Sequence, residues 1–316
     1  MLNSLALRPF FNERENSSVQ ISIPVPPAFN FKRTAKSHGW RSLLPFEFDD
    51  TVWSITRVLS LPAATPVTVH VTSSDDALQV NIPRRTLNKR DTAQITRDVR
   101  HMFRLDDEMQ VFYAAVADDP NFSWIVREGA GRLLRSPTVY EDLVKTICTT
   151  NCSWALTMKM VEGMVKHLGR EAQDGRRAFP TPEAMAGQPE SFYRDVVRAG
   201  YRAGYFTELA GRVASGELDV ESWLTSELST AELKLEMKRV KGVGEYAADN
   251  LLKLLGRYDC LALDSWVRAT FARLHNKGRT ADDRKIARHY ARFREWRGLA
   301  LWCDITRDWI EAKDEG

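Results

Sequence analysis

The chain has 316 residues, 43% apolar and 28% charged, which supplies a buried core and excludes wholesale disorder. At roughly 100–200 residues per domain this length predicts two or three domains. Its longest run free of charge and glycine, Val58 to Ser74, is broken by Pro, Ser, Thr and His, so no membrane-spanning helix is expected.

The segment Met1 to Phe10 lacks a basic region followed by a long apolar one, so no secretory signal is expected, and residues 1–17 read as a frayed start. From Ser18 to about Pro83 the pattern is strand-like. Val19, Ile21, Ile23 and Val25 alternate, as do Val67, Val69 and Val71, then Leu78, Val80 and Ile82. Asp75-Asp76 makes the last two runs a hairpin. Pro24, Pro26 and Pro27 confine the first run to a sheet edge. Asp91 to Phe103 reads as a helix with Asp91 as N-cap.

After about residue 105 the period becomes helical. Ser136-Pro137 predicts an N-cap followed by proline at the first helical position, with Leu143, Val144 and Ile147 on one face. A helix from Trp154 to Leu168 is stopped by Gly169. Residues 170–190 are loop-like, and helical segments then continue to the end. The expected fold class is α+β, with an N-terminal antiparallel-sheet domain over 1–105 and an all-α region over 106–316.

Four cysteines occur, Cys148, Cys152, Cys260 and Cys303, without a Cys-x-x-Cys pair, which argues against a zinc ribbon and a compact iron–sulfur loop. Cys148 and Cys152 read as two small buried side chains, and a reducing compartment fits. The net charge is only +3, but its distribution is uneven. Residues 251–300 carry 12 Lys/Arg against 5 Asp/Glu, and residues 201–250 carry 6 against 9. A basic block suggests an anionic partner such as nucleic acid, against the plainer reading of a solvated helix face.

The informative stretch is 229–268. Ser229 and Glu232 have capping-box spacing, and a short helix runs through Lys238. Val240-Lys241-Gly242-Val243-Gly244 is a glycine turn, and a second helix carries Tyr246, Ala247, Asn250, Leu251 and Leu254 before Gly256. Two helices joined this way expose backbone N–H groups that bind a phosphate oxygen without reading sequence. Leu261-Ala262-Leu263-Asp264 then sets one carboxylate before another helix. Such an Asp is either a plain N-cap or a reaction-centre carboxylate beside a bound nucleotide.

This hairpin with Leu263-Asp264 resembles the helix–hairpin–helix DNA glycosylase superfamily. Gly131-Arg132-Leu133-Leu134-Arg135 through Ile147-Cys148-Thr149-Thr150-Asn151, and Ala199-Gly200-Tyr201-Arg202-Ala203-Gly204-Tyr205, are similar to segments of its 8-oxoguanine branch. The resemblance covers about residues 125–310. It implies a catalytic role for Asp264 and phosphate contacts by Gly242 and Gly244, with Lys241 beside them. It places Asn151 in the gap left by a flipped nucleotide, and Tyr201 and Arg202 on the opposite strand. It also implies a monovalent cation, K+ or Na+, on the main-chain carbonyls of Lys238, Val240 and Val243, with no other cofactor and no iron–sulfur cluster.

Two departures matter. The lysine that forms a Schiff base in the bifunctional branch is Tyr246 here, and a phenol forms no imine. In this the chain is similar to the alkylpurine branch. Lys241 stands where many relatives have proline.

N-glycosidic cleavage builds positive charge on the deoxyribose, which an ionised carboxylate stabilises. The extruded base needs an aromatic pocket, for which Tyr246, Trp154, Trp302 and Trp296 are candidates, against a plain core role for each. The expectation is therefore a monomeric, cytoplasmic or nucleoid-associated, monofunctional DNA glycosylase that acts on a damaged purine in double-stranded DNA. The alternatives are a non-catalytic DNA-binding hairpin protein and a lyase that uses Lys145 or Lys253.

Overall fold

A computed structural model describes residues 18–62, 64–83 and 86–311; the start over 1–17 lies outside them. Five strands form one antiparallel sheet: β1 (Val19–Pro24), β2 (Phe46–Asp49), β3 (Ser54–Leu59), β4 (Val67–Ser73) and β5 (Ala77–Ile82), in the order β1-β5-β4-β3-β2. The alternation sets the register, with Val19 opposite Ile82, Ile21 opposite Val80 and Ile23 opposite Leu78. Pro24 closes β1, which lies at an edge where a missing N–H costs least. β3 is less visible in the sequence because Arg57 occupies a core position at 2% exposure. Its guanidinium packs over the Phe46 ring at 4.3 Å and pairs with Glu141.

The remainder is mostly helical, so the fold is α+β. The main helices are α1 (Lys89–Met102), α2 (Gln110–Val116), α3 (Val139–Thr149), α4 (Trp154–Leu168), α5 (Ala203–Ala214), α6 (Thr230–Met237), α7 (Glu245–Leu254), α8 (Ser265–His275), α9 (Asp283–Tyr290) and α10 (Arg297–Ile305). Among the described residues no helix is long and apolar enough to cross a membrane.

Two caps differ from the sequence reading. The cap of α1 is Asn88, whose side chain accepts the Asp91 amide at 2.8 Å. Asp91 instead lies in the first turn, where its charge suits the helix dipole. The cap of α3 is Thr138, which accepts the Glu141 amide at 3.2 Å. Ser136 is buried, and its amide donates to Asp142 at 2.9 Å. α4 begins at Trp154 and stops before Gly169 as expected.

Two large apolar cores result, beside a small cluster of Val58, Ala172 and Ala178. One joins the sheet to α1 and α3–α7; the other joins α2 to the segments around Tyr258, Val267, Tyr290 and Trp302. Residues of both cores line one open cleft of about 1580 Å³.

Candidate functional site

The hairpin forms as its sequence requires. Both capping-box bonds are made at the start of α6: Glu232 N to Ser229 Oγ at 3.3 Å and Ser229 N to Glu232 Oε2 at 2.9 Å. The chain then turns through Val240 and Gly242 into α7. Gly242 sits at φ +90°, and a Cβ there would lie 2.7 Å from the Tyr205 ring. That position demands glycine on both counts. Gly244 is different. Its φ of −87° suits any residue, a Cβ would meet nothing within 4 Å, and it is the N-cap of α7 without a side-chain capping bond. The first N–H groups of α7 therefore receive no side-chain cap from this residue, which lines the cleft.

Charged groups around the turn are largely paired. Glu245 accepts from Lys234 at 2.6 Å and from Lys238, and these bonds hold its carboxyl down at about 2. Lys241 is exposed and pairs with Glu208. The Val240 carbonyl accepts the Val243 amide at 3.1 Å, and among the described residues no second donor takes the other lone pair of that oxygen.

Asp264 lies on the cleft, one residue ahead of α8. Its Oδ1 accepts the Val267 amide at 2.7 Å. The two sequence readings of this residue are thus compatible: it caps the helix and presents a carboxylate to the cleft. Tyr246, the second residue of α7, also lines the cleft, and burial, with the Asp264 charge, pushes its phenol up.

Trp154 and Trp302 line the cleft as expected. A Cβ at Gly39 would lie 2.7 Å from the Trp154 ring, so glycine there seats that indole. Trp302 donates its Nε1–H to the Ser37 carbonyl at 2.8 Å. Trp296 is a correction: it stacks on Tyr258 at 5.5 Å within the second core and does not line the cleft.

The loop between α3 and α4 brings in Asn151, at φ +47°, a conformation asparagine tolerates well. Tyr201 also faces the cleft and is 56% exposed. Arg202, assigned to the opposite DNA strand by the resemblance, is buried instead. Its guanidinium donates to the carbonyl and hydroxyl of Thr150 and lies 4.5 Å from the Tyr201 ring. In this structure it positions the Asn151 loop.

Neither candidate for a displaced lysine lines the cleft. Lys145 is buried against Glu141 at 2.6 Å. Lys253 is buried with its Nζ 3.7 Å from the Trp302 ring centroid, and burial pushes it down to about 7. The basic side chains of the 251–300 block also stay off the cleft wall. Arg268 pairs with Asp283 at 2.7 Å, Arg292 with Asp119 at 2.8 Å, and Arg297 donates to the Asp259 carbonyl at 2.6 Å. The basic side chains that do line the cleft are Arg41, Lys238 and Lys241.

Sequence reasoning passed over Trp266 and Trp309, which pack with Trp302 at centroid distances of 5.6–6.0 Å and line the cleft. Trp266 lies two residues after Asp264, and that proximity was the available signal; Trp309 had none. His38 also lines the cleft, 4.3 Å from Trp40. Burial, and then Lys253, Lys145 and Arg41, hold its imidazole well below the usual histidine range.

No protein-family model matches this sequence, and no curated protein matches it. Solved structures do. MBOgg1, in complex with a low-affinity DNA ligand, superposes with a TM-score of 0.71 and 23% identity, over 95% of this chain and 97% of that one. The 3-methyladenine DNA glycosylase of Archaeoglobus fulgidus gives 0.70 and 21%, over 91% and 98%. The apo 8-oxoguanine glycosylase/lyase of Clostridium acetobutylicum gives 0.69 and 20%, over 92% and 96%. The fold is that of these DNA glycosylases. It spans nearly the whole of each.

Proposed function

We propose that this protein is a monofunctional DNA glycosylase that extrudes a damaged purine and hydrolyses its N-glycosidic bond. The observation that carries this reading is the placement of Asp264 on the same cleft as the uncapped N-terminus of α7 and a set of aromatic rings. A phosphate of the target strand docks on the N–H groups after Gly242 and Gly244, a contact independent of base identity. The extruded base stacks among Trp154, Tyr246, Trp266 and Trp302, gaining about 1–3 kcal/mol per stacked base. Asn151 occupies the gap where the nucleotide has left, and Tyr201 meets the opposite strand.

As the C1′–N bond breaks, its electron pair leaves with the base and positive charge grows on the sugar. The Asp264 carboxylate stabilises that charge and orients a water, which adds to C1′ and passes its proton to that carboxylate, from which the released base or solvent takes it. Tyr246 supplies no amine, and Lys145 and Lys253 are turned into the core, so hydrolysis to an intact abasic site is the outcome. A K+ or Na+ on the carbonyls of Lys238, Val240 and Val243 would add positive charge beside the phosphate; the unused lone pair of Val240 is compatible with it. A non-catalytic binding module is the second reading. Asp264 speaks against it, because a carboxylate beside phosphates weakens binding unless it serves a reaction.

The test is a panel of duplex oligonucleotides, each with one alkylated or oxidised purine, read by alkaline cleavage of the abasic product. At least one lesion should be excised by the parent and not by Asp264→Asn. Tight binding to the panel with no excision of any member would favour the non-catalytic reading.

A further inference from the structure

Three helices bring a second group of chemically able side chains together away from the cleft. His275 is the last residue of α8, His289 lies near the end of α9, and Asp304 near the end of α10. One donor atom from each lies within 4.8 Å of the others. His275 Nε2 is 2.7 Å from Asp304 Oδ2, and the two imidazole centroids are 4.5 Å apart.

We propose that His275, His289 and Asp304 form a binding site for a divalent first-row transition cation, with zinc as its natural probe. Two imidazoles and one carboxylate are a borderline donor set that suits such ions and resembles three-ligand sites completed by water. Hydrogen bonding alone does not account for the cluster. His275 and Asp304 satisfy each other, but His289 Nε2 is buried and has no hydrogen-bond partner. A cation supplies what that nitrogen lacks.

The geometry needs only side-chain adjustment. Tetrahedral ligands at about 2.0–2.1 Å from zinc stand about 3.3 Å apart. The His275–Asp304 pair opens slightly to reach that spacing, and His289 closes from its present distance. Asp304 is already oriented, since the Tyr290 hydroxyl donates to Oδ2 at 2.6 Å, the kind of outer hydrogen bond that fixes metal-ligating carboxylates. Phe271 packs against both imidazoles and limits water on that side. The other side is open, with His275 at 23% and Asp304 at 13% exposure, so an ion can enter. The nearby Arg292 is tied to Asp119 at 2.8 Å.

The ion would clamp the C-terminal end of α8 to α9 and α10. Asp264 caps the other end of α8, about 16 Å away at 1.5 Å per residue, so the ion touches no reacting atom. Its effect is to hold the helix that carries Asp264 against the helix that carries Trp302.

The test titrates metal-stripped full-length protein with Zn²⁺ against a chelating dye, and with Co²⁺ by visible absorption. One equivalent per chain should bind, with a rise of several degrees in melting temperature. The Co²⁺ adduct should show ligand-field bands without the thiolate charge-transfer band that cysteine ligation gives. His289→Ala and Asp304→Asn should each weaken binding at least about tenfold, while His167→Ala, on α4, should not. Far-ultraviolet dichroism verifies the fold, and Asp304→Asn keeps a hydrogen-bonding group for Tyr290. Absence of stoichiometric Zn²⁺ binding, a thiolate band, or unchanged binding in folded His289→Ala and Asp304→Asn would each overturn the proposal. None of these readouts depends on base excision.

Discussion

Asp264 accepts the Val267 amide through Oδ1 at 2.7 Å, so the carboxylate that faces the cleft is also the cap of α8. This separates structure from chemistry experimentally. Asparagine caps a helix about as well as aspartate, so Asp264→Asn should melt within a degree or two of the parent. It removes the charge that stabilises the sugar, so single-turnover excision should fall by at least about 10²-fold. Asp264→Ala loses the cap as well and should cost about 1 kcal/mol of stability besides. A folded Asn variant with near-parent rates would end the catalytic assignment.

A tyrosine at position 246, with Lys145 and Lys253 buried off the cleft and Lys238 and Lys241 paired with Glu245 and Glu208, predicts the product. Excision should leave an abasic strand that breaks only with alkali, and borohydride should trap no protein–DNA adduct. Lys253→Met should keep the excision rate. Equal strand breakage without alkali in metal-free buffer, lost in the Lys253 variant, would mean that this lysine leaves Trp302 and reaches the sugar.

Lys253 also predicts a pH dependence. Burial holds its ammonium down at about 7, against the partial support of Asp264 and Asp249. The folded value lies below the unfolded one, so burying the charge costs stability. That cost is complete below about pH 7, where both states are protonated. As pH rises from about 7 towards 10.5 the folded state has released a proton that the unfolded state keeps, and stability recovers. Lys253→Met should therefore raise the melting temperature most near pH 6 and least near pH 10. A gain that grows with pH would contradict this account.

Much of this was legible because local rules and global fold agreed. The capping box at Ser229, the glycine at 242 and the Asp264 cap are short-range features, and each forms as its spacing dictates. The alternation of β4 and β5 was legible for the same reason. What stayed hidden depended on distant partners. Arg57 interrupts the apolar pattern of β3 because its counter-charge, Glu141, lies 84 positions away. Arg202 read as a surface contact, since nothing in its neighbourhood shows that the Thr150 carbonyl would bury it. The trio of Trp266, Trp302 and Trp309 is assembled by the packing of α8 against the C-terminal segment, which no periodicity reports.

Tyr201 and Arg202 are adjacent yet should respond differently to substitution. Arg202 is buried and bonded to Thr150, so Arg202→Ala should destabilise the protein by about 1–3 kcal/mol by leaving that carbonyl unsatisfied and the Asn151 loop unsupported. Arg202→Lys, lacking the planar fork, should recover little of it. Tyr201→Ala removes an exposed ring and should leave stability near the parent's while weakening lesion-duplex binding by several-fold. Calorimetry and anisotropy titrations on the three variants decide; equal stability loss at both positions would refute the division.

The two glycines of the hairpin give the sharpest contrast. Gly242 has both a left-handed backbone and a neighbouring ring, so Gly242→Ala should destabilise the turn and weaken all binding through loss of structure. Gly244 has neither constraint. An aspartate there finds open space, adopts the observed backbone, and is a good N-cap for α7, so Gly244→Asp should melt at or above the parent temperature. The same carboxylate takes up the N–H groups that a phosphate would use and repels the phosphate itself. Binding to lesion-containing and undamaged DNA should therefore fall by similar factors, because a backbone contact carries no base information. The dependence of log affinity on log salt should become shallower by about one phosphate's share. The measurement is anisotropy on matched lesion and undamaged duplexes over a salt series, with melting curves alongside. A stable Gly244→Asp that binds undamaged DNA as tightly as the parent, with the same salt slope, would show that the N-terminus of α7 meets no phosphate and that the turn only connects two helices.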